Sequence, residues 1–355
     1  MNSLIKKDYL YYFDTNAIYY YCGENADGFD IEKFRLDMKA MPNKILPSCV
    51  YQEMIVKYRN DTDELGRMLT ILATDNFKIA PSQYDFLGDE FTYEMDIDLK
   101  KAIESQYKKK IDNEARLIYL IIYSVSMVFT RILGVHEGIK DVDKFMRVFV
   151  TESINSIEQD KLNFIKEELE KAYEIDDTEN VVKKLYNDIC FEYCTMAYAF
   201  AYGIKNISSD GKCHKDIDEY MNDPFTKKLL RYKNAFNEFF EKFNKNHKDI
   251  IEEAKIEIPS FFTKRGYTLE QGEFIKSKLE KWLLHKAKLE KNDIYDMFFM
   301  FGFSDYSASS FNAYAGTNIV KNDIKLLSFD GRTKNFIGTF SKSSVDIVDG
   351  YKIEP

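Results

Sequence analysis

The sequence predicts an α/β fold, a parallel sheet interrupted by a large all-helical insertion, and three observations carry that prediction. Short apolar runs of strand length occur near both ends of the chain, each stopping at polar or turn residues. Helical patterns lie between those runs, the alternation that builds parallel sheets. From about residue 82 to about residue 288 strand signals nearly vanish and long helical patterns take over.

The first strand is Tyr9-Leu-Tyr-Tyr-Phe13, an aromatic run that ends at Asp14-Thr15-Asn16. Lys44-Ile-Leu46 is the second; Pro47-Ser48 follows, with Ser48 placed to cap a helix that carries Val50, Met54 and Tyr58 at helical spacing. Phe77-Lys-Ile-Ala80 stops at Pro81 and reads as a third. Toward the other end, Asn292-Asp293 can cap a helix running from Ile294 to Gly302. Ile324-Lys-Leu-Leu-Ser-Phe329 is a further strand, stopped by Asp330-Gly331, and Val345-Asp-Ile-Val348 is the last. Between them the helical patterns cover 113–135, 142–174, 180–204, 224–245 and 268–290. The expected organisation is therefore an α/β domain in two parts, 1–81 and 289–355, around an all-helical insertion, 82–288. Such an insertion is tolerable because loop-closure cost grows slowly with length.

Bulk composition narrows the function classes. In 355 residues, 45% hydrophobic and 31% charged, there is material for a large core and no low-complexity region to explain away. The formal charge of −9 excludes a protein that coats nucleic acid by bulk charge, but not one that grips it locally. The five cysteines have no paired-knuckle spacing; Cys190 and Cys194 fall one helical turn apart, and Cys213-His214 has no second pair nearby. Free buried thiols and a reducing, cytoplasmic compartment follow. Charges interrupt the N-terminal stretch where a secretory signal would need apolar residues. Leu117–Thr130 is too short for a comfortable bilayer span, so it reads as a core helix and no membrane partner is expected. The four histidines share no metal spacing, and there is no glycine-rich phosphate loop, HExxH or GxSxG.

What remains is a set of acids in one structural role. Asp14 and Asp330 each follow a strand, Glu53 lies in the second turn of the helix behind Ser48, and Asp296 lies in the first turn of the Asp293 helix. Function in an open parallel sheet gathers at the carboxyl ends of its strands. Acids converging there repel one another, and a divalent cation is what compensates such a cluster. Each acid also has a plain reading as a turn residue, a cap or a solvated side chain; the order and context of all four together carry the functional one.

This pattern resembles the PIN domain: strand then Asp14-Thr15-Asn16, strand and Ser48 then Glu53, an Asp opening a helix, and Leu326-Leu327-Ser328-Phe329-Asp330. The match covers roughly 8–81 and 290–350. It implies a three-layer α/β/α sandwich with a central parallel sheet and a metal-dependent endoribonuclease that hydrolyses RNA with Mg²⁺ or Mn²⁺. Asp14, Glu53, Asp296 and Asp330 would be the metal-binding acids. Thr15 and Ser328 match hydroxyl positions that orient carboxylates or water, and Asn16 a polar position bordering the site. Asp293 lies one turn before Asp296, and either can be the primary ligand. Many PIN proteins are toxins of bacterial toxin–antitoxin pairs, so an inhibitory protein partner is also implied. The helix after Asp296 carries Met-Phe-Phe-Met-Phe where the family usually has small residues, which implies different packing there. Ser209-Asp210-Gly211 is a look-alike of Phe329-Asp330-Gly331, but lacks the preceding strand.

Substrate contact is expected from the basic stretch that leads into Asp293, with Lys278, Lys281 and Lys288 beside Trp282 and His285; a solvated helix face is its plain reading. Two other functions stay open: a catalytically silent fold serving as an RNA- or protein-interaction module, and a DNA-directed nuclease of related fold.

Overall fold

A computed structural model describes residues 10–80, 98–136 with 138, 142–178, most of 180–197, 247–264, a few positions in 269–277, 324–330 and 348–353. Its elements in chain order are β1 (Leu10–Phe13), α1 (Thr15–Cys22), α2 (Ile31–Lys39), β2 (Lys44–Pro47), α3 (Ser48–Tyr58), α4 (Thr62–Thr74), β3 (Lys78–Ala80), α5 (Leu99–His136), α6 (Val142–Glu174), α7 (His247–Thr263) and β4 (Ile324–Leu327). The chain forms two compact units, one of residues 1–113 with 292–355 and one of 114–291.

The first unit is an α/β structure built on a parallel four-stranded sheet of order β3-β2-β1-β4. The order turns back at β1: β2 and β3 follow to one side, and β4 pairs on the other. Such a reversal of strand order is where open parallel sheets form a crevice, outside the carboxyl ends of the flanking strands, here β1 and β4. Strands and registers follow from sequence. Tyr11 and Phe13 of β1 are fully buried, and Tyr12 nearly so, as expected for a strand covered on both faces. Leu10 through Phe13 pair with Ile324 through Leu327 in sequence, and the ladder continues where the Asp14 N–H donates to the Leu327 carbonyl at 2.9 Å.

Phe34 of α2, wholly buried, joins the parts of this unit. Its ring meets Phe13 of β1 at 6.2 Å, Phe329 after β4 at 5.0 Å and Tyr351 of the C-terminal turn at 5.4 Å. Phe329 in turn meets Tyr20 at 5.1 Å and Phe29 at 4.9 Å, nearly edge-on in both cases. The chain entering α1 and the chain leaving β4 therefore share one aromatic cluster.

Among the described residues, the second unit is helical throughout. Its share of α5 contains a stretch long and apolar enough to cross a membrane, and 83% of that stretch is buried in the fold. Tyr119, Tyr123 and Tyr193 pack there, with the Tyr119 and Tyr193 hydroxyls 3.1 Å apart.

Several expectations are corrected. Ser48 does not cap α3: it is the first helical residue, Pro47 holds the cap position without a side-chain bond, and the Ser48 hydroxyl is buried. β2 runs one residue further than its apolar pattern, because Pro47 still pairs with Ala80. β4 stops at Leu327, where Ser328 and Phe329 turn to other partners. Val348 is no strand residue but opens a turn, accepting from the Tyr351 N–H, as Asp349-Gly350 would favour. α5 begins at Leu99 rather than near 113, because a thin buried stripe through Ala102 and Ile111 suffices beneath its lysines. α7 was not anticipated; Pro259 lies inside it and obscures the pattern. Cys22 and Cys49 are free and buried, and Cys190 is free and half-buried. Cys194, Cys213, the helical patterns 224–245 and 278–290, and the Asp293 helix lie outside the described residues.

Replacing Phe34 with alanine should destabilise the first unit by about 3–5 kcal/mol, the usual loss for a fully buried phenylalanine. Urea denaturation followed by near-ultraviolet circular dichroism measures it. A loss under about 1 kcal/mol, within the range of surface substitutions, would remove Phe34 from the role of joining these parts.

Candidate functional site

The polar residues at the carboxyl ends of β1 and β4 form one hydrogen-bonded network. Asp14 is the N-cap of α1, and its Oδ1 accepts from the Thr15 N–H at 2.7 Å. Its Oδ2 accepts from Ser328 Oγ at 2.5 Å and from Asn16 Nδ2 at 3.1 Å. Asn16 turns its other amide atom to β4, where Oδ1 accepts from the Phe329 N–H at 2.9 Å. Ser328 Oγ also accepts from the Asp330 N–H at 3.2 Å. Ser328 and Asn16 thus each touch both the Asp14 carboxylate and the backbone that presents Asp330.

Glu53 enters from α3. Thr15 Oγ1 donates to Glu53 Oε2 at 2.6 Å, so adjacent residues of one helix start hold two of the acids. Burial is the main reason the Asp14 carboxyl is raised from 3.8 to about 6, and the charges of Glu53 and then Asp330 push it further up. Hydrogen bonds from Ser328 and Thr15 pull the other way and lose. Asp14 therefore senses the charge of both other acids.

Six of the expected site residues, Asp14, Thr15, Asn16, Glu53, Ser328 and Asp330, are thus gathered at one sheet edge. Asp293, Asp296, Lys278, Lys281, Lys288 and the look-alike Asp210 lie outside the described residues. Among the described residues, no group of three or more His, Cys, Asp and Glu side chains is close enough together to hold a metal ion. The donor set that is present consists of carboxylate oxygens at mutually repelling positions, with hydroxyl and amide groups orienting them. That chemistry suits a hard, oxygen-seeking cation such as Mg²⁺ or Mn²⁺.

The sequence reading did not anticipate the division of labour around Phe329. Its N–H is bound by Asn16 while its ring is held by Tyr20, Phe29 and Phe34. The signal that could have found it is an aromatic between two polar site residues, where a strand leaves the sheet. Comparison with known proteins finds no matching family model, no matching curated protein and no matching solved structure.

The raised Asp14 carboxyl has a consequence for stability without metal. A folded-state value above the unfolded one means the native state holds the extra proton between pH 3.8 and about 6. The stabilisation is complete below that interval and is lost as pH rises through it. A rise of this size corresponds to about 3 kcal/mol at most, less here because Asp14 keeps some solvent contact. In chelator, the wild type should lose stability relative to Asp14→Asn between pH 4 and 7, as read by urea midpoints at each pH. Parallel profiles for the two proteins would mean that Asp14 is neither strained by burial nor repelled.

Proposed function

We propose that this protein is a metal-dependent nuclease of the PIN-like kind acting on RNA, cytoplasmic, with Asp14, Glu53 and Asp330 in its site. The observation that carries this reading is the convergence of Asp14 and Asp330 at the ends of two adjacent parallel strands. Glu53 stands beside them, and Ser328, Asn16 and Thr15 cross-link the three. Carboxylates held together against their mutual repulsion make chemical sense where a cation is to be bound. The sheet order, with its crevice outside β1 and β4, is compatible with the α/β/α sandwich that the resemblance implies.

A divalent cation at these oxygens would polarise a phosphodiester and supply hydroxide from bound water. The chain's own contribution is orientation. Ser328 and Asn16 direct their donors to Asp14 Oδ2, the Thr15 N–H occupies Oδ1, and the Thr15 hydroxyl fixes Glu53. With those atoms occupied, fewer directions remain from which a ligand can approach each carboxylate. Asp293 or Asp296 would complete the acid set. Lys278, Lys281 and Lys288 would contribute to holding the RNA, and an inhibitory partner would act by covering the crevice.

The alternative of a catalytically silent interaction module draws on one observation. The described acids alone do not form a group tight enough for a metal. The test that separates the readings is incubation of the purified protein with labelled RNA and DNA in Mn²⁺, in Mg²⁺ and in chelator. Cleavage of RNA with metal only is the expected result, and no cleavage of either polymer selects the silent module. Ser328→Ala should slow cleavage by about 10–100-fold, the usual effect of removing a group that orients a metal ligand. Asp14→Asn and Asp330→Asn should lose more than that, while Asp210→Asn keeps the wild-type rate. Loss at Asp210 with retention at Asp330 would transfer the site to the look-alike segment.

A further inference from the structure

Beyond the crevice, α1 and α3 lie side by side in matching register. Thr15 meets Glu53, and one turn further along both helices Tyr19 meets Lys57. Glu53 and Lys57 are four residues apart and so share a face of α3, about 6 Å apart at their β-carbons. The Lys57 ammonium lies 3.7 Å from the centre of the Tyr19 ring and 4.9 Å from that of Tyr58, with its side chain 46% exposed. Just past the end of α3, the Arg59 guanidinium lies 5.0 Å from the ring centre of Tyr107 on α5. Asn113 of α5 donates to Gln52 of α3 at 3.4 Å, so the start of α5 runs antiparallel to α3 and keeps Tyr107 beside Arg59. Lys108 and Lys109, next to Tyr107, are exposed.

The resulting strip alternates cations with tyrosine rings and starts one helical turn from Glu53. It stands out in a chain of net charge −9. Among the described residues its acidic neighbours include Glu64, whose charge reaches the Tyr58 hydroxyl, and Glu24, 3.7 Å from Lys57 and accepting from that hydroxyl at 3.0 Å. An ion pair between two such exposed side chains is weak and exchanges readily for a competing anion. Phosphates matched to the cations, and unpaired bases matched to the half-buried rings of Tyr58 and Tyr107, are what this alternation suits. An acidic peptide would use the charges and leave the rings idle.

We propose that this strip is a track for single-stranded RNA, with Lys57 and Arg59 on successive backbone phosphates and bases stacking on Tyr58 and Tyr107 opposite the ring faces that those cations cover. It deepens the nuclease reading and rests on it for the direction of the strand, which would run from the Asp14–Glu53 crevice over the end of α3 toward α5. Its residues are not those of the basic stretch expected from sequence, whose Lys278, Lys281 and Lys288 lie outside the described residues.

The test is binding of a fluorescently labelled oligouridylate to the full-length protein in chelator, over a series of salt concentrations. The Lys57→Glu/Arg59→Glu double variant should bind about tenfold or more weakly. Its dependence of log affinity on log salt should be shallower by about 1.4, at about 0.7 for each phosphate left without its cation. The exposed pair Lys184→Glu/Lys248→Glu changes net charge equally and should alter neither quantity. Tyr107→Leu should weaken binding with the salt slope unchanged, because stacking releases no counterions. If the double variant melts early, the single Lys57→Gln reads the same slope change at about half size. Wild-type slope and affinity in the Lys57 and Arg59 variants, or equal weakening in the control pair, overturn the track. Binding is measured without metal, so the two ideas fail separately. A protein that binds through these residues but never cleaves RNA in Mn²⁺ keeps the track and sinks the nuclease, and cleavage with unaltered binding does the reverse.

Discussion

The Asp14 carboxylate is the point on which the first unit turns. Its donors come from its own helix start and from Ser328, 314 positions away in the chain. Bringing such distant segments together costs little more than closing a far shorter loop, since each doubling of loop length adds only about 0.6 kcal/mol. The β1–β4 ladder and the Phe34 cluster offset that cost with backbone bonds and buried rings. The ladder fixes register, so that Phe13 stands against Leu327 and the residues leaving both strands meet. A slip of one residue would turn Ser328 to the other face and break its bond to Asp14. The register is thus a condition for the site as much as for the core.

The same convergence carries an electrostatic burden that the fold does not remove. Neutral donors surround Asp14, from a hydroxyl, an amide and a backbone N–H, yet burial and two neighbouring carboxylates still win, and its carboxyl rises to about 6. Hydrogen bonds of this kind stabilise a carboxylate in place, but they do not cancel a neighbour's charge. A perturbed carboxyl beside other carboxylates is grounds for a functional hypothesis. The aromatic cluster supplies the rigidity that such an arrangement needs. Phe329 is held by its ring and by its N–H at once, so Asp330 leaves the sheet from a fixed origin.

Much of this unit was legible in the sequence because its signals are local. Four short apolar runs ending at polar residues became four parallel strands, and Asp14 and Asp330 were recognisable as strand-end acids. Ser48 misled because a serine after a strand has the same appearance whether it caps a helix or begins one; the deciding fact was that Pro47 still belonged to β2. The start of α5 misled because its helix rests on a few buried positions beneath many lysines, a stripe too thin to see among charges. Lys57 and Arg59 gave no signal, since a lysine and an arginine at a helix end are ordinary. Their meaning depends on Tyr19 and Tyr107, which are distant in sequence and adjacent only in the fold.

Acids and cations one helical turn apart solve a problem that the net charge alone would leave open. A phosphodiester approaching a crevice of repelling carboxylates meets an unfavourable field at short range. At physiological salt that field decays over about 8 Å, so the total of −9 matters less than what stands within that distance. Lys57 shares the face of α3 that carries Glu53, close enough for its field to overlap that of the acids. Tyr19 beneath it holds the ammonium by its ring, while its carboxylate partner Glu24 is exposed and exchanges for a competing anion. A polyanion can then be attracted beside the acids rather than onto them. Under the proposed function the helix pair α1 and α3 would do two things with one register: Thr15 to Glu53 would orient the acid, and Tyr19 to Lys57 would orient the cation that makes the acid approachable.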